Sequence, residues 1–130
     1  MTIDWSKVIT VEDKFAKAKE AKKAEIKQSF NNYIRSSFIC SLGYPMQFNE
    51  SDSLKMEGAI KLMEISGQTE GYLTDADDIT HYNISLNDIK RTQLEMLAKF
   101  AEAHAKKQLF RIQIDSATTQ EELDNIKWNI

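Results

Sequence analysis

The chain holds one proline and one cysteine in 130 residues, and only four glycines. A single cysteine, Cys40, excludes an internal disulfide, so the fold has to be held by its apolar core. So little proline and glycine excludes low-complexity linkers and collagen-like repeats, and it leaves few places where a helix is forced to stop. The longest apolar run, around Phe38 to Cys40, is far too short to cross a membrane. The opening Met1-Thr2-Ile3-Asp4-Trp5 lacks the basic-then-apolar pattern of a signal peptide, so export by that route is not expected. A strong excess of basic charge is also missing. The net charge of -3 argues against a general nucleic-acid binder and, with the apolar share, describes an ordinary globular domain.

The charge that is present is unevenly spread. Six lysines lie between Lys14 and Lys27, against Asp13, Glu20 and Glu25. Between Glu50 and Glu95, ten acids face four bases. These are two solvated faces, or two surfaces able to meet within the chain or between neighbours.

Periodicity predicts a mainly helical α+β fold with small β-hairpins. After an extended arm anchored by Trp5, Thr10-Val11-Glu12-Asp13 reads as a helix cap. Phe15, Ala18, Ala21 or Lys22, Ile26, Phe30, Tyr33 and Ile34 follow at helical spacing. The Ala, Lys and Glu between Phe15 and Glu25 favour a long N-terminal helix with a thin, alanine-rich apolar side. Gly43 and Pro45 mark the turn of a hairpin over Ser37–Ser41 and Met46–Phe48. Asn49 or Ser51 caps a second helix carrying Leu54, Met56, Ile60, Met63 and Ile65, and Gly67 is placed to end it. Tyr72-Leu73, an acidic turn over Thr74–Asp78, and Ile79, His81 or Tyr82, and Ile84 make a second hairpin or an ordered loop.

Ser85-Leu86-Asn87-Asp88 opens the central helix. It is expected to run about 30 residues, roughly 45 Å, with Leu86, Ile89, Gln93, Met96 or Leu97, Phe100, His104, Leu109 and Ile112 along its expected inner side. A short C-terminal helix begins at Thr118 or Thr119, where Thr119-Gln120-Glu121-Glu122 reads as a capping box before Leu123, Ile126 and Trp128. The composition shift near Ser36 divides the chain into an arm and basic helix (1–35) and a compact α+β domain (36–130).

Chemistry-bearing patterns are few. Asp75, Asp77 and Asp78 share a turn, but Ile79 and Thr80 stand where a calcium loop needs its next ligand and its glycine, so a polar turn is expected. His81 and His104, the only two histidines, would have to converge with Cys40 or a carboxylate to do catalysis or bind metal. His104 instead falls on the expected buried side of its helix, and Cys40 reads as an inert buried thiol. Met56, Met63 and Met96 read as core, or as an adaptable binding surface. Lys106, Lys107 and Arg111 form a basic patch suited to a helix C-terminal region. No phosphate-cradling glycine loop, nucleophile elbow or zinc spacing occurs. The expectation is a non-enzyme with no catalytic residue, no cofactor and no metal.

The order of these features resembles a known family. A Lys- and Ala-rich helix (Ala16 to Lys27) precedes a hairpin holding Gly43 and Phe48. Then come Glu50-Ser51-Asp52-Ser53, the aspartate-rich turn Tyr72 to Asp78, and Asn83-Ile84-Ser85-Leu86-Asn87-Asp88. The chain closes on Thr118-Thr119-Gln120-Glu121-Glu122-Leu123-Asp124-Asn125-Ile126-Lys127-Trp128. From about Lys23 onward this is similar to a domain of unknown function found at the C-terminal end of tailed-phage and prophage tail, tail-fibre and tail-fibre-assembly proteins. Tyr72 stands near a position where that family usually has tryptophan.

The resemblance implies a fibre or baseplate component, or a chaperone of fibre assembly, with a tail-fibre or other tail protein as partner and homo-oligomers as a further option. It places the protein in the host cytoplasm during assembly and, if structural, in the virion tail. The N-terminal helix would then dock through Phe15, Ala18, Ile26 and Phe30, or fold back on its own domain. The competing class is a small phage-encoded regulator or inhibitor that binds nucleic acid or a nucleic-acid enzyme, through the basic helix or the acidic middle.

Overall fold

A computed structural model of the chain describes residues 11–129. The arm expected around Trp5 and the cap expected at Thr10 lie outside the described residues. The fold is mainly helical α+β. Its elements are α1 (Val11–Ile34), β1 (Ser37–Ile39), β2 (Pro45–Gln47), α2 (Glu50–Ser66), β3 (Glu70–Thr74), β4 (Thr80–Ser85), α3 (Leu86–Ser116) and α4 (Gln120–Asp124).

Contacts group the chain into two compact units. One takes α1 as far as Phe30 together with the chain from Ala105 onward, and the other spans Asn31–His104. This grouping differs from the division at residue 35 read from composition. The C-terminal third of α3 and all of α4 share a core with the basic helix, which a local change in composition cannot register.

The first unit is built on Ile26, Phe110, Ile114, Ala117, Leu123 and Ile126. Phe15, Ala18 and Trp128 pack against them. Trp128 meets Phe30 edge-on at 6.1 Å between ring centroids and Phe110 at 5.8 Å. The Lys22 ammonium donates to the Ile126 carbonyl at 3.1 Å and Lys19 to that of Asp115 at 3.0 Å, so α1 is tied to the C-terminal segment by polar as well as apolar contacts.

α4 is short because its cap does much of the ordering. Thr119 is extended, and its hydroxyl accepts from the Glu122 N–H at 3.1 Å. The Glu122 carboxylate reaches back to the Thr118 N–H at 2.8 Å, one residue earlier than in the usual reciprocal box. Thr119→Ala is expected to lower the unfolding free energy by about 1 kcal/mol in urea titration, because the Glu122 N–H loses its acceptor.

The second unit has two cores. Cys40, Met46, Phe48 and Met96 form one, and Ile60, Met63, Leu73 and Ile89 the other. The first hairpin is antiparallel, with Phe38 opposite Met46 and Ile39 opposite Pro45. Its turn closes by Gly43 N–H to the Cys40 carbonyl at 2.9 Å, with Gly43 at φ +88°, a conformation that costs glycine little. Pro45 begins its strand, where the missing N–H is tolerated. α2 starts at Asn49, whose side chain accepts from the Asp52 N–H at 2.9 Å. It ends at left-handed Gly67, with Gln68 N–H returning to the Met63 carbonyl.

β3 and β4 form the second hairpin, one of the two forms expected for this segment. Gly71 pairs with Ile84 and Leu73 with His81, so β4 carries one extra residue, and Asn83 takes it up at φ +59°. α3 opens where Ser85 Oγ accepts from the Asp88 N–H at 3.1 Å. Its buried stripe is Ile89, Thr92, Met96, Ala103, Phe110 and Ile114. His104, Leu109 and Ile112, expected on that side, are all exposed, which corrects the expected face beyond Phe100.

Candidate functional site

The second unit contains a groove of about 370 Å³ between α2, the two hairpins and α3. Met46, Met56, Met63 and Met96 line it, which is every methionine among the described residues. Leu73, Ile89 and the exposed ring of Tyr72 complete the apolar wall. Asp52 and Lys55, from the first turns of α2, stand on the polar side.

Each wall is placed by a local rule. The seven-residue spacing of Met56 and Met63 sets both on one face of α2. Gly71 lets Met63 lie against β3. A Cβ there would stand 3.0 Å from Met63 Cε, 3.2 Å from its sulfur and 3.3 Å from Ile89 Cδ1. Asp52 Oδ2 is buried and has no hydrogen-bond partner among the described residues. Methionine side chains are unbranched and polarisable, so a groove made of four of them adjusts its shape to an apolar guest at low cost.

At one end of the groove the aspartate-rich turn is locked from inside. Asp75 Oδ1 accepts the N–H of Asp77 at 2.9 Å and of Ile79 at 3.0 Å, while Oδ2 takes the His81 Nε2 at 2.8 Å. The His81 ring stacks on Tyr44, with centroids 3.6 Å apart and planes 7° from parallel. The Ala76 N–H donates to the Pro45 carbonyl at 2.7 Å and so joins the two hairpins. The turn is therefore a structural clasp.

The His81 hydrogen bond, aided by the two backbone N–H groups and opposed by burial, holds the Asp75 carboxyl below its ordinary value of 3.8. A depressed carboxyl adds stability that is complete well above that value and is lost as pH falls through the lower folded one. The stability gap between wild type and Asp75→Asn is thus expected to narrow as pH falls through and below 3.8, read by urea unfolding at stepped pH.

The residues expected from sequence to dock a partner lie elsewhere. Ile26 and Phe30 are buried in the core of the first unit, and Phe15 and Ala18 pack on it. The helix folds back on its own unit through Phe15, Ala18 and Ile26, while Ala16, Ala21 and Ala24 are exposed. Ile26 and Phe30 are buried, while Phe15 and Ala18 are half-buried. The two histidines do not meet at one centre. His81 belongs to the clasp, and His104 lies exposed beside Phe100, at 6.2 Å between ring centroids. Cys40 is buried, as expected. No cluster of metal-ligating side chains occurs among the described residues. No described helix is long and apolar enough to cross a membrane.

The match to a family model now has a structural frame. Residues 17–127 match the model of a domain of unknown function, DUF4376. The chain belongs to this family. The matched span includes both hairpins, all of α2, α3 and α4, and the whole methionine groove. No curated protein and no solved structure matches the chain.

The groove escaped the sequence reading because four elements far apart in the chain build it. The one local signal was the spacing of Met56 and Met63.

Proposed function

We propose that this DUF4376 chain is a non-enzymatic protein-binding domain, that its methionine groove is the docking site, and that its partner is a phage or prophage tail protein. The groove carries the first two parts of the reading. A half-buried Met56 and the exposed Tyr72, backed by the buried Met46, Met63 and Met96, suit a partner that inserts an apolar side chain. The tail assignment rests on the sequence resemblance. It offers two roles, a fibre or baseplate component and a fibre-assembly chaperone.

The test is co-expression with a tail-fibre protein, followed by size-exclusion chromatography with light scattering. A stable complex supports the reading, and mass spectrometry of purified particles then separates the two roles, since a chaperone is absent from them. Ala59, on the groove wall and exposed, is the place to block the site. Ala59→Trp is expected to weaken the complex by about tenfold or more while leaving the circular dichroism spectrum unchanged. Co-migration that survives this substitution moves the docking site away from the groove.

A second reading, a regulator that binds nucleic acid, draws on one observation. Lys23, Lys27, Lys107 and Arg111 line a groove of about 410 Å³ in the first unit. Part of that charge is already engaged. Lys23 pairs with Asp115 at 2.7 Å, and the Lys107 ammonium lies over the Phe30 ring at 4.3 Å. Fluorescence anisotropy with duplex DNA decides it, because binding that weakens steeply with salt would favour the regulator.

A further inference from the structure

The outer face of the second hairpin carries two large aromatic rings in the open. Side chains alternate along a strand, so Leu73 and His81 turn inward to the core and the clasp, and Tyr72 and Tyr82 turn outward. The two tyrosines are 65% and 70% exposed, and their rings lie 6.3 Å apart between centroids with the planes inclined at 47°. Tyr72 borders the methionine groove, whereas Tyr82 stands outside its lining. Beneath them the hairpin is held by the Asp75–His81–Tyr44 clasp and by the link from Ala76 to Pro45, so both rings are presented on a fixed strand pair.

The charge around these rings has one sign. Glu70 lies two residues before Tyr72 and so on the same face, and Asp77 and Asp78 stand in the turn at the other end. All three are exposed, while Asp75 is buried and taken up by His81. From Glu70 to Ser85 the hairpin holds four acids and no lysine or arginine. In the first unit aromatic rings find their cation within the chain, with Lys19 at 5.1 Å from the Phe15 centroid and Lys107 at 4.3 Å from that of Phe30. Among the described residues no such cation lies over Tyr72 or Tyr82. We infer that this face docks a cationic segment of a partner protein, with an arginine or lysine side chain set against Tyr72 and Tyr82 between the acids at either end.

An aromatic ring is negative on its face and attracts a cation that comes within about 6 Å of its centroid. With the two centroids 6.3 Å apart, one cation has room within that distance of both. The acids add attraction of longer reach, screened over about 10 Å at 0.1 M salt, which speeds encounter and turns away an acidic partner. Tyrosine suits the centre of such a contact, because it offers a large apolar area at little cost in side-chain freedom. This inference goes beyond the groove reading. Tyr82 stands outside the groove, so the cationic contact holds whether or not an apolar side chain enters between the methionines.

Fluorescence anisotropy of the full chain with a short labelled peptide of alternating glycine and arginine tests the proposal. Binding is expected at low salt. Tyr82→Leu, which keeps apolar bulk but removes the ring, is expected to weaken it about three- to fivefold, as loss of an exposed cation–π contact does, while Tyr82→Phe stays within about twofold of the wild type. Glu70→Gln is expected to weaken binding and flatten its salt dependence, and Glu102→Gln, the same loss of charge at an exposed position of α3, to change it little. No binding at low salt overturns the proposal. So does an equal loss from Glu70→Gln and Glu102→Gln, which means unspecific attraction to an acidic unit. So does a Tyr82→Leu chain that is folded by circular dichroism and binds as the wild type does. Binding of a neutral oligosaccharide such as maltoheptaose, removed by Tyr82→Leu and without binding of the peptide, would make the pair a sugar-stacking platform instead. Sedimentation equilibrium without peptide covers the remaining occupant. Association at low salt that Tyr82→Leu abolishes would place the lysine-rich α1 of a second copy on this face and overturn a separate partner.

Discussion

Phe48→Ala is expected to lower the unfolding free energy by about 3–5 kcal/mol, enough to leave much of the second unit unfolded at physiological temperature if total stability sits low in the usual range. Phe48 is only 1% exposed. It lies in the cluster with Cys40, Met46 and Met96. Tyr33 meets its ring edge-on at 5.4 Å and Phe38 at 5.8 Å. The substitution removes the ring that both neighbours lean on, and a core built partly from a three-residue strand pair has little backbone with which to collapse the cavity. Urea unfolding followed by tyrosine fluorescence and circular dichroism gives the number. A loss below about 1 kcal/mol would mean that this cluster is loosely packed. Because Met46 and Met96 belong to both this core and the groove wall, the same substitution should also weaken any ligand of the groove.

What could be read from the sequence follows from the range of the interaction concerned. The Asn49, Gly67 and Thr119 caps are set by residues three or four apart, so Gly67 is legible outright and Asn49 and Thr119 each as one of two neighbouring candidates. The turn at Gly43 and Pro45 is equally local. The buried side of α3 was harder. It has apolar residues on both sides, with Ile89, Met96, Phe110 and Ile114 inside and Leu94, Leu97, Leu109 and Ile112 outside. Two stripes defeat a single periodicity. A count that begins on Ile89 and passes Phe100 steps onto the outer stripe at His104 and stays there. α2 has the same ambiguity, with Leu54 and Ile65 taken from the outer face and Ile60 and Met63 from the inner one. Apolar surplus on a helix is what hides a core from pattern reading. The groove and the Asp75–His81–Tyr44 clasp were out of reach for a different reason, since their members meet only when separate hairpins and helices pack.

The basic helix could dock on a partner or fold back on its own domain as far as the sequence goes, and Ile26 is the residue that bears on the choice. A docking anchor leaves the free protein's stability unchanged when truncated, whereas a core residue does not. Ile26 is 1% exposed and shares its cluster with Phe110, Ile114 and Leu123. Ile26→Ala is therefore expected to cost about 2–5 kcal/mol in the isolated chain, through lost burial and the cavity left between α1, α3 and the C-terminal segment. The flanking lysine contacts, Lys19 to the Asp115 carbonyl and Lys22 to that of Ile126, hold the backbone in place and limit how far the site can close, which pushes the cost toward the upper part of that range. Leu62→Ala, on an exposed face, is the control and should change stability by about 0.5 kcal/mol or less at concentrations where the chain is monomeric. Urea midpoints of the two variants, measured side by side, decide the matter. A large shift for Ile26→Ala alone makes α1 part of the fold. Equal and small shifts would return it to the role of a docking helix, with Phe15, Ala18 and Phe30 beside it.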